Sequence, residues 1–317
     1  MSEAIGDIAV FDAAAVLAAL PLADAIPLMR EAMIALSTGG VEQALRGFIG
    51  LGEGRTFAIM PAAIRGQGFG AKLVAVYARP GQPKRHEGLV VLFDAATGAP
   101  VLLADAGEVT ALRTPAASAA ATDALARPDA DTLAVLGVGR QALGHIEAIA
   151  RVRPLKQVWV WSRDADRTRA FAAEIAARAG QRVEPCSDAE AALRDTAIIC
   201  TTTAATDPVL HGAWVAPGTH VNLVGSSGPM AAEADVDLVA RSRYFVDHRA
   251  HVLAHGGEFL RAVRAGAVGE DHIESEIGAV FAGLAPGRVT NEEITVYKSL
   301  GHAVQDLAVA LRLLKGA

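Results

Sequence analysis

Arg46, Lys72 and Arg113 occupy settings where a cation is unusual. Arg46 lies in Ala-Leu-Arg-Gly-Phe-Ile, Lys72 in Phe-Gly-Ala-Lys-Leu-Val-Ala-Val, and Arg113 in Thr-Ala-Leu-Arg-Thr-Pro-Ala-Ala. A charge in such apolar or glycine-rich runs is costly to bury unless an opposite charge meets it. The three together suit a pocket for a carboxylate. Taken singly, each also suits a structural ion pair with Asp or Glu, or a stem that snorkels to solvent, and periodicity does not choose between these.

A second constellation is Leu133-Ala-Val-Leu-Gly137-Val-Gly139-Arg140-Gln141-Ala142. An apolar strand runs into Gly-x-Gly-x-x-Ala and opens a helix, the pattern that lets backbone approach a pyrophosphate and presents free helix N–H groups to its charge. NAD binders carry Asp or Glu about 20 residues further on for the ribose hydroxyls. Here Ser162 and Arg163 end the second strand instead. A hydroxyl beside a guanidinium suits a 2′-phosphate, which makes NADPH the expected cofactor. NADH is the alternative, because Asp164 offers a ribose acceptor one residue later. Thr201, Thr202 and Thr203 stand at a strand's C-terminal end, where ligands of open α/β sheets gather, a place that equally suits plain turn residues.

His248, His251 and His255 recur at a helical period, yet they stand among Arg249, Gly256, Gly257 and Glu258 without a cysteine or carboxylate ligand set. The expectation is a solvated helix face and no metal. Cys186 and Cys200 have no metal-ligand spacing and fit a reducing, cytoplasmic setting.

The elements that must position these residues divide in two. Up to about residue 112, a helix over 21–36 is followed by strands over 56–60, 70–77 and 88–94, an α+β pattern. An alanine-dense helix over 112–126 leads into strand 133–137. Helix 141–151, strand 157–162, helix 166–179 and strands 197–202, 219–225 and 243–247 then alternate. This predicts a Rossmann-type, doubly wound parallel sheet in an α/β chain. The stretch 294–314 begins strand-like and becomes an amphipathic helix with no obvious partner in the sheet order, so it is expected to return to the first domain.

With 317 residues, 52% hydrophobic and 20% charged, the chain suits two domains with substantial cores. Its 29 basic and 35 acidic residues are well mixed, so no cationic face announces nucleic acid or anionic lipid, and a small-molecule partner is expected. No apolar run reaches the roughly 18 residues of a membrane span, so a soluble protein is expected. Glu3 and Asp7 do not suit a secretory start.

Over nearly its full length the chain resembles the ornithine cyclodeaminase/μ-crystallin family. The matching pieces are Arg46 before an apolar strand, Met60-Pro61, Gly70-Ala-Lys72, His86 to Asp94, Thr110-Ala-Leu-Arg113-Thr114, Gly137 to Ala142, Trp161-Ser-Arg163, Cys200-Thr-Thr-Thr203, Pro217 to Gly225 and Thr295 to Gly301. The resemblance implies a homodimeric enzyme. Its substrate-binding and dimerisation domain would comprise residues 1–112 with 304–317, and its Rossmann NAD(P)-binding domain residues 113–303. It gathers Arg46, Lys72 and Arg113 around the substrate carboxylate, with Lys72 also catalytic. Thr114, the turn after Cys200, and Val224-Gly225 fall beside the dinucleotide, and Lys298 to Gly301 near its nicotinamide.

Two departures matter. Cyclodeaminases carry an aspartate soon after the Val-Gly of that loop, where this chain has Ser227, and an acidic residue two positions before Met-Pro, where it has Ala58. A serine without an activating partner is no general base at neutral pH. Reducing a cyclic imine asks less: a carboxylate clamp, an aligned hydride donor and a proton. The expected reaction is therefore NAD(P)H-dependent reduction of Δ1-pyrroline-2-carboxylate or Δ1-piperideine-2-carboxylate to L-proline or L-pipecolate, with Ser227 orienting the ring nitrogen or a water. The alternatives are a cyclodeaminase or related amino-acid dehydrogenase, and a μ-crystallin-like protein that binds NADPH and a small carboxylate.

Overall fold

The computed structural model describes residues 8–77, 85–179 and 182–316. In chain order the elements begin β1 (Ala9–Phe11), α1 (Ala13–Ala19), α2 (Leu22–Ser37), β2 (Val41–Gln43), β3 (Gly47–Gly52), β4 (Arg55–Ile64), β5 (Gly68–Tyr77), β6 (Arg85–Asp94), β7 (Pro100–Asp105) and α3 (Ala106–Leu125). They continue β8 (Thr132–Leu136), α4 (Arg140–Val152), β9 (Gln157–Trp161), α5 (Ala165–Ala179), β10 (Val183–Pro185), α6 (Ala189–Leu193), β11 (Ile198–Thr201), β12 (His220–Leu223), α7 (Val236–Arg241) and β13 (Ser242–Val246). The last are α8 (Arg249–His255), α9 (Gly257–Arg264), β14 (Ile273–Glu276), α10 (Ile277–Phe281), β15 (Ile294–Lys298) and α11 (Ala303–Gly316). Spatial proximity groups Met1–Arg113 with His302–Ala317 in one unit and Thr114–Gly301 in a second.

In the first unit, β1-β7-β6-β5-β4-β2 form one sheet, with β3 added along β4. All pairings are antiparallel except β1 with β7. Strand alternation sorts the side chains. Lys72 lies in register with Met60 and Val90, and Val90 with Ala104, so these share one face. That face is buried beneath α11, which packs across β4 to β7 and against α2. Leu73, Ile59 and Leu89 share the other face, where Leu89 is exposed.

The helix α11 departs from the expected amphipathic pattern, because its residues Ala303 to Leu311 are all buried. A helix packed on a sheet and on a second helix has no solvent side to mark. The helix α3 starts six residues before the expected boundary at Leu112. Asp105 Oδ1 accepts from Glu108 N at 2.6 Å, so Asp105-Ala-Gly-Glu108 acts as a start signal that alanine density conceals.

The second unit carries an eight-stranded sheet, β10-β9-β8-β11-β12-β15-β13-β14, parallel throughout. Its order reverses between β8 and β11, the switch point outside which such sheets bind ligands. β15 lies inside this sheet between β12 and β13, not beyond its order as the sequence suggests. All five of its residues are buried, as a central parallel strand requires. His251 is buried on α8, which packs against α9 and β14, so the expected solvated histidine face is also corrected. No single described helix is long and apolar enough to cross a membrane.

Candidate functional site

The first unit brings the three sequence-predicted cations into one charge cluster. Glycines at 68 and 70 fall on the same face of β5 as Lys72, and a Cβ at Gly70 would stand 3.2 Å from Leu307 Cδ2 on α11. Small residues there admit α11 closely, and the helix delivers Asp306 to the sheet. Lys72 Nζ is 3.4 Å from Asp306 Oδ1 and also donates to Thr110 Oγ1. Arg113 Nε reaches the same Asp306 oxygen at 3.2 Å, and its Nη1 donates to Gln305 Oε1 at 3.1 Å. Lys72, Arg113 and Asp306 are all buried, and Asp306 Oδ2 has no hydrogen-bond partner among the described residues. Half-buried Arg46, just before β3, is close enough for its charge to act on Lys72.

For Lys72 and Arg113 the structure shows the structural ion pair, through Asp306. Two cations share one carboxylate, so this triad keeps an excess positive charge in a dry place. The pKa of Lys72 is lowered to about 8. Burial is the largest cause, Asp306 opposes it, and Arg113 and Arg46 add to it. A lysine so tuned exchanges a proton near neutral pH.

The second unit holds a cleft of about 470 Å³ at its switch point, lined by Gly137, Val138, Gly139, Trp161 to Asp164, Arg167, Thr202 to Ala205 and Val209. Gly137 has φ +127°, and a Cβ there would stand 2.5 Å from Thr202 Oγ1, so glycine is required. A Cβ at Gly139 would meet nothing within 4 Å, which leaves the turn open in front of α4. The α4 N-terminus follows Gly139 with no side-chain cap, while Ala142 is buried where the helix meets the sheet. Arg140 is exposed and Gln141 half-buried at that terminus. These features fit a dinucleotide pyrophosphate.

At the end of β9, Ser162 Oγ is 2.8 Å from Thr168 Oγ1 and donates to Asp164 O at 3.0 Å. Asp164 Oδ1 accepts from Arg167 N at 3.0 Å and so starts α5, which occupies one oxygen of the expected ribose acceptor. Arg163 and Arg167 are both exposed and both line the cleft.

The remaining expected residues divide by environment. Thr202 and Thr203 line the cleft, whereas the Thr201 and Thr203 hydroxyls donate to buried Glu233. Gly225 N also donates to Glu233, and Val224 is buried beside it. Lys298 is buried and paired with Glu258 at 2.9 Å. Gly301 N donates to Asp247 Oδ2 at 2.9 Å. Thr114 is buried with its hydroxyl unpartnered among the described residues, and Ser227 is exposed on the loop after β12.

Asp306, Gln305, Thr110, Arg167, Glu233 and Glu258 were not foreseen. Gln305-Asp306 inside the apolar run of α11 could have signalled a buried polar pair. Glu233 stands in the acid-rich Ala-Ala-Glu-Ala-Asp-Val-Asp, where nothing separates it from its surface neighbours.

The chain matches the model of the ornithine cyclodeaminase/mu-crystallin family over residues 7–315. It is 35% identical over 293 residues to ketimine reductase mu-crystallin of Mus musculus, covering 90% of this chain and 89% of that protein. Its fold is similar to the Δ1-pyrroline-2-carboxylate reductase of Thermococcus litoralis in complex with NADH and L-proline. There the TM-score is 0.93, with 29% identity and coverage of 98% of this chain and 97% of the other. An archaeal alanine dehydrogenase dimer with bound NAD gives a TM-score of 0.91, 29% identity and coverage of 98% and 96%.

Asp306 raises the pKa of Lys72 against burial, so D306N should move it below about 8. Nuclear magnetic resonance of 13Cε-labelled lysine should give a Lys72 midpoint near 8 in the native protein and a lower one in the variant. An unchanged midpoint would contradict the pairing.

Proposed function

The chain belongs to the ornithine cyclodeaminase/mu-crystallin family, and from that premise we propose that it is an NAD(P)H-dependent reductase of cyclic imino acids. Its substrate would be Δ1-pyrroline-2-carboxylate, with the six-membered Δ1-piperideine-2-carboxylate as homologue, reduced to L-proline and L-pipecolate. The observation that carries the reading is the buried sharing of Asp306 by Lys72 and Arg113. The excess cation there calls for an anion, and a carboxylate matches a guanidinium fork. Names among the relatives agree, as ketimine and pyrroline-2-carboxylate reductases.

Arg113 and Arg46 hold the substrate carboxylate in this reading. Lys72, protonated below its pKa of about 8, gives its proton to the imine nitrogen and recovers one from solvent. Asp306 holds Lys72 in place, and its Oδ2, unpartnered among the described residues, can accept from the resulting N–H. Ser227 orients the ring nitrogen or a water. When bound, the dinucleotide would supply the hydride for the imine carbon. Gly137, Gly139 and the α4 N-terminus would hold its pyrophosphate. Ser162, Arg163 and Arg167 would hold a 2′-phosphate, so NADPH is the preferred form, although similar structures hold NAD or NADH.

We also propose a homodimer. All six residues of β3 are exposed, and Phe48, Ile49, Phe69 and Leu89 leave much apolar area open on the first unit. Sedimentation equilibrium should give twice the chain mass at micromolar concentration, and a monomer would remove this part of the proposal.

The function is tested by oxidation of NADPH and NADH with pyrroline-2-carboxylate, piperideine-2-carboxylate, pyruvate plus ammonia, and pyrroline-5-carboxylate in parallel, beside an L-ornithine deamination assay. The 2-carboxylate imines should react, with turnover falling as pH rises past about 8 because Lys72 must be protonated. Joint R163A and R167A substitution should cut the preference for NADPH by about tenfold or more. Preference for pyrroline-5-carboxylate, or ammonia release from ornithine without net cofactor use, would overturn the reading.

A further inference from the structure

Glu233 is fully buried, yet it gathers donors from two separate loops of the second unit. Its Oε1 accepts from Thr203 N at 2.6 Å and Thr203 Oγ1 at 2.7 Å, on the loop after β11. Its Oε2 accepts from Thr201 Oγ1 at 2.8 Å, at the end of that strand, and from Gly225 N at 2.6 Å and Ser226 N at 3.2 Å, on the loop after β12. Three of these donors are fixed backbone N–H groups, and they reach both oxygens. Burial pushes the Glu233 pKa up, while the Thr203 hydrogen bond and the Lys298 charge pull it down, and the three backbone N–H groups, which can only donate, favour its carboxylate form.

The grip closes into a ring. Glu233 N donates to Glu258 Oε1 at 3.0 Å, and Glu258 Oε2 pairs with Lys298 Nζ at 2.9 Å. Lys298 Nζ then donates to Ser226 O at 2.7 Å and Ser226 Oγ at 3.1 Å, which holds the second loop from its other side. The loops touch so closely that a Cβ on Gly225 would stand 2.1 Å from Thr203 O and 2.5 Å from Glu233 Oε1.

Sheet order says which part of a dinucleotide these loops would meet. The Ser162–Arg163 end belongs to β9 and the pyrophosphate turn to β8, and the sheet continues as β11, β12 and β15. A dinucleotide laid along the carboxyl ends of the strands from β9 over β8 brings its nicotinamide half over β11 and β12. We propose that Glu233 is the positioning residue for that half, fixing the spacing of the two loops through Thr203, Gly225 and Ser226. The inference rests on the reading of the cleft as a dinucleotide site.

Calorimetric titration with NADPH and with 2′-phospho-ADP-ribose, which lacks the nicotinamide, separates positioning from general integrity. E233Q keeps the shape but turns an N–H₂ toward fixed donors. It should weaken NADPH by about tenfold, the scale of one charge-assisted hydrogen bond, and leave 2′-phospho-ADP-ribose unchanged. T203V retains the carboxylate, removes one donor and should act in the same direction with smaller size, which keeps the test alive if E233Q does not fold. Unchanged NADPH affinity in the variants, or equal loss of both ligands, overturns the proposal. Native protein that binds neither ligand refutes the dinucleotide reading itself, and with it this one.

Discussion

An ammonium group and a guanidinium cannot share a dry space beneath a helix unless a negative charge lies between them. Asp306 supplies that charge to Lys72 and Arg113 through one oxygen. Removing one partner from such a buried pair costs about 3–5 kcal/mol, so the triad constrains α11, β5 and α3 together. The glycines of β5, the buried length of α11 and the early start of α3 are the local conditions that let the three side chains meet. The surplus cation follows from the count of charges, and the reactivity assigned to Lys72 follows first from its burial and then from the neighbouring Arg113 and Arg46 charges.

Carboxylates organise the second unit by a related device, collecting backbone donors in place of cations. Glu233 ties the loops after β11 and β12, while Asp247 accepts from His248, Leu300 and Gly301 N–H groups at the ends of β13 and β15. Backbone N–H groups at buried strand ends must find acceptors, and a buried acid that takes several at once makes a loop rigid without a regular ladder. The pyrophosphate turn differs from these loops. It leaves an uncapped helix terminus and an open glycine, groups that a ligand would satisfy.

Periodicity and glycine placement made much of this legible in advance. The parallel sheet, the turn at Gly137 and the cation at Lys72 each follow from short-range patterns of residue type. Three things did not. β15 reads as a tail element because insertion of a late strand into the middle of a sheet leaves no local mark. Asp306 was hidden because its partners lie 234 and 193 residues away in sequence, and local spacing carries nothing about such pairs. Glu233 looks like any surface acid until the loops it binds are folded. The basic trio was visible while its reading stayed open: an ion pair and a substrate pocket have the same local sequence, and what Asp306 shows is the ion pair with Lys72 and Arg113.

The central claim is that this buried cluster recognises a planar carboxylate by its charge. The direct measurement is calorimetric binding of pyrrole-2-carboxylate and of pyrrole-2-carboxamide, its neutral isostere, to protein saturated with oxidised cofactor. The account predicts measurable binding of the acid and affinity at least about a hundredfold weaker for the amide, the scale of a charge-assisted bidentate contact. Equal affinity for the two would contradict it.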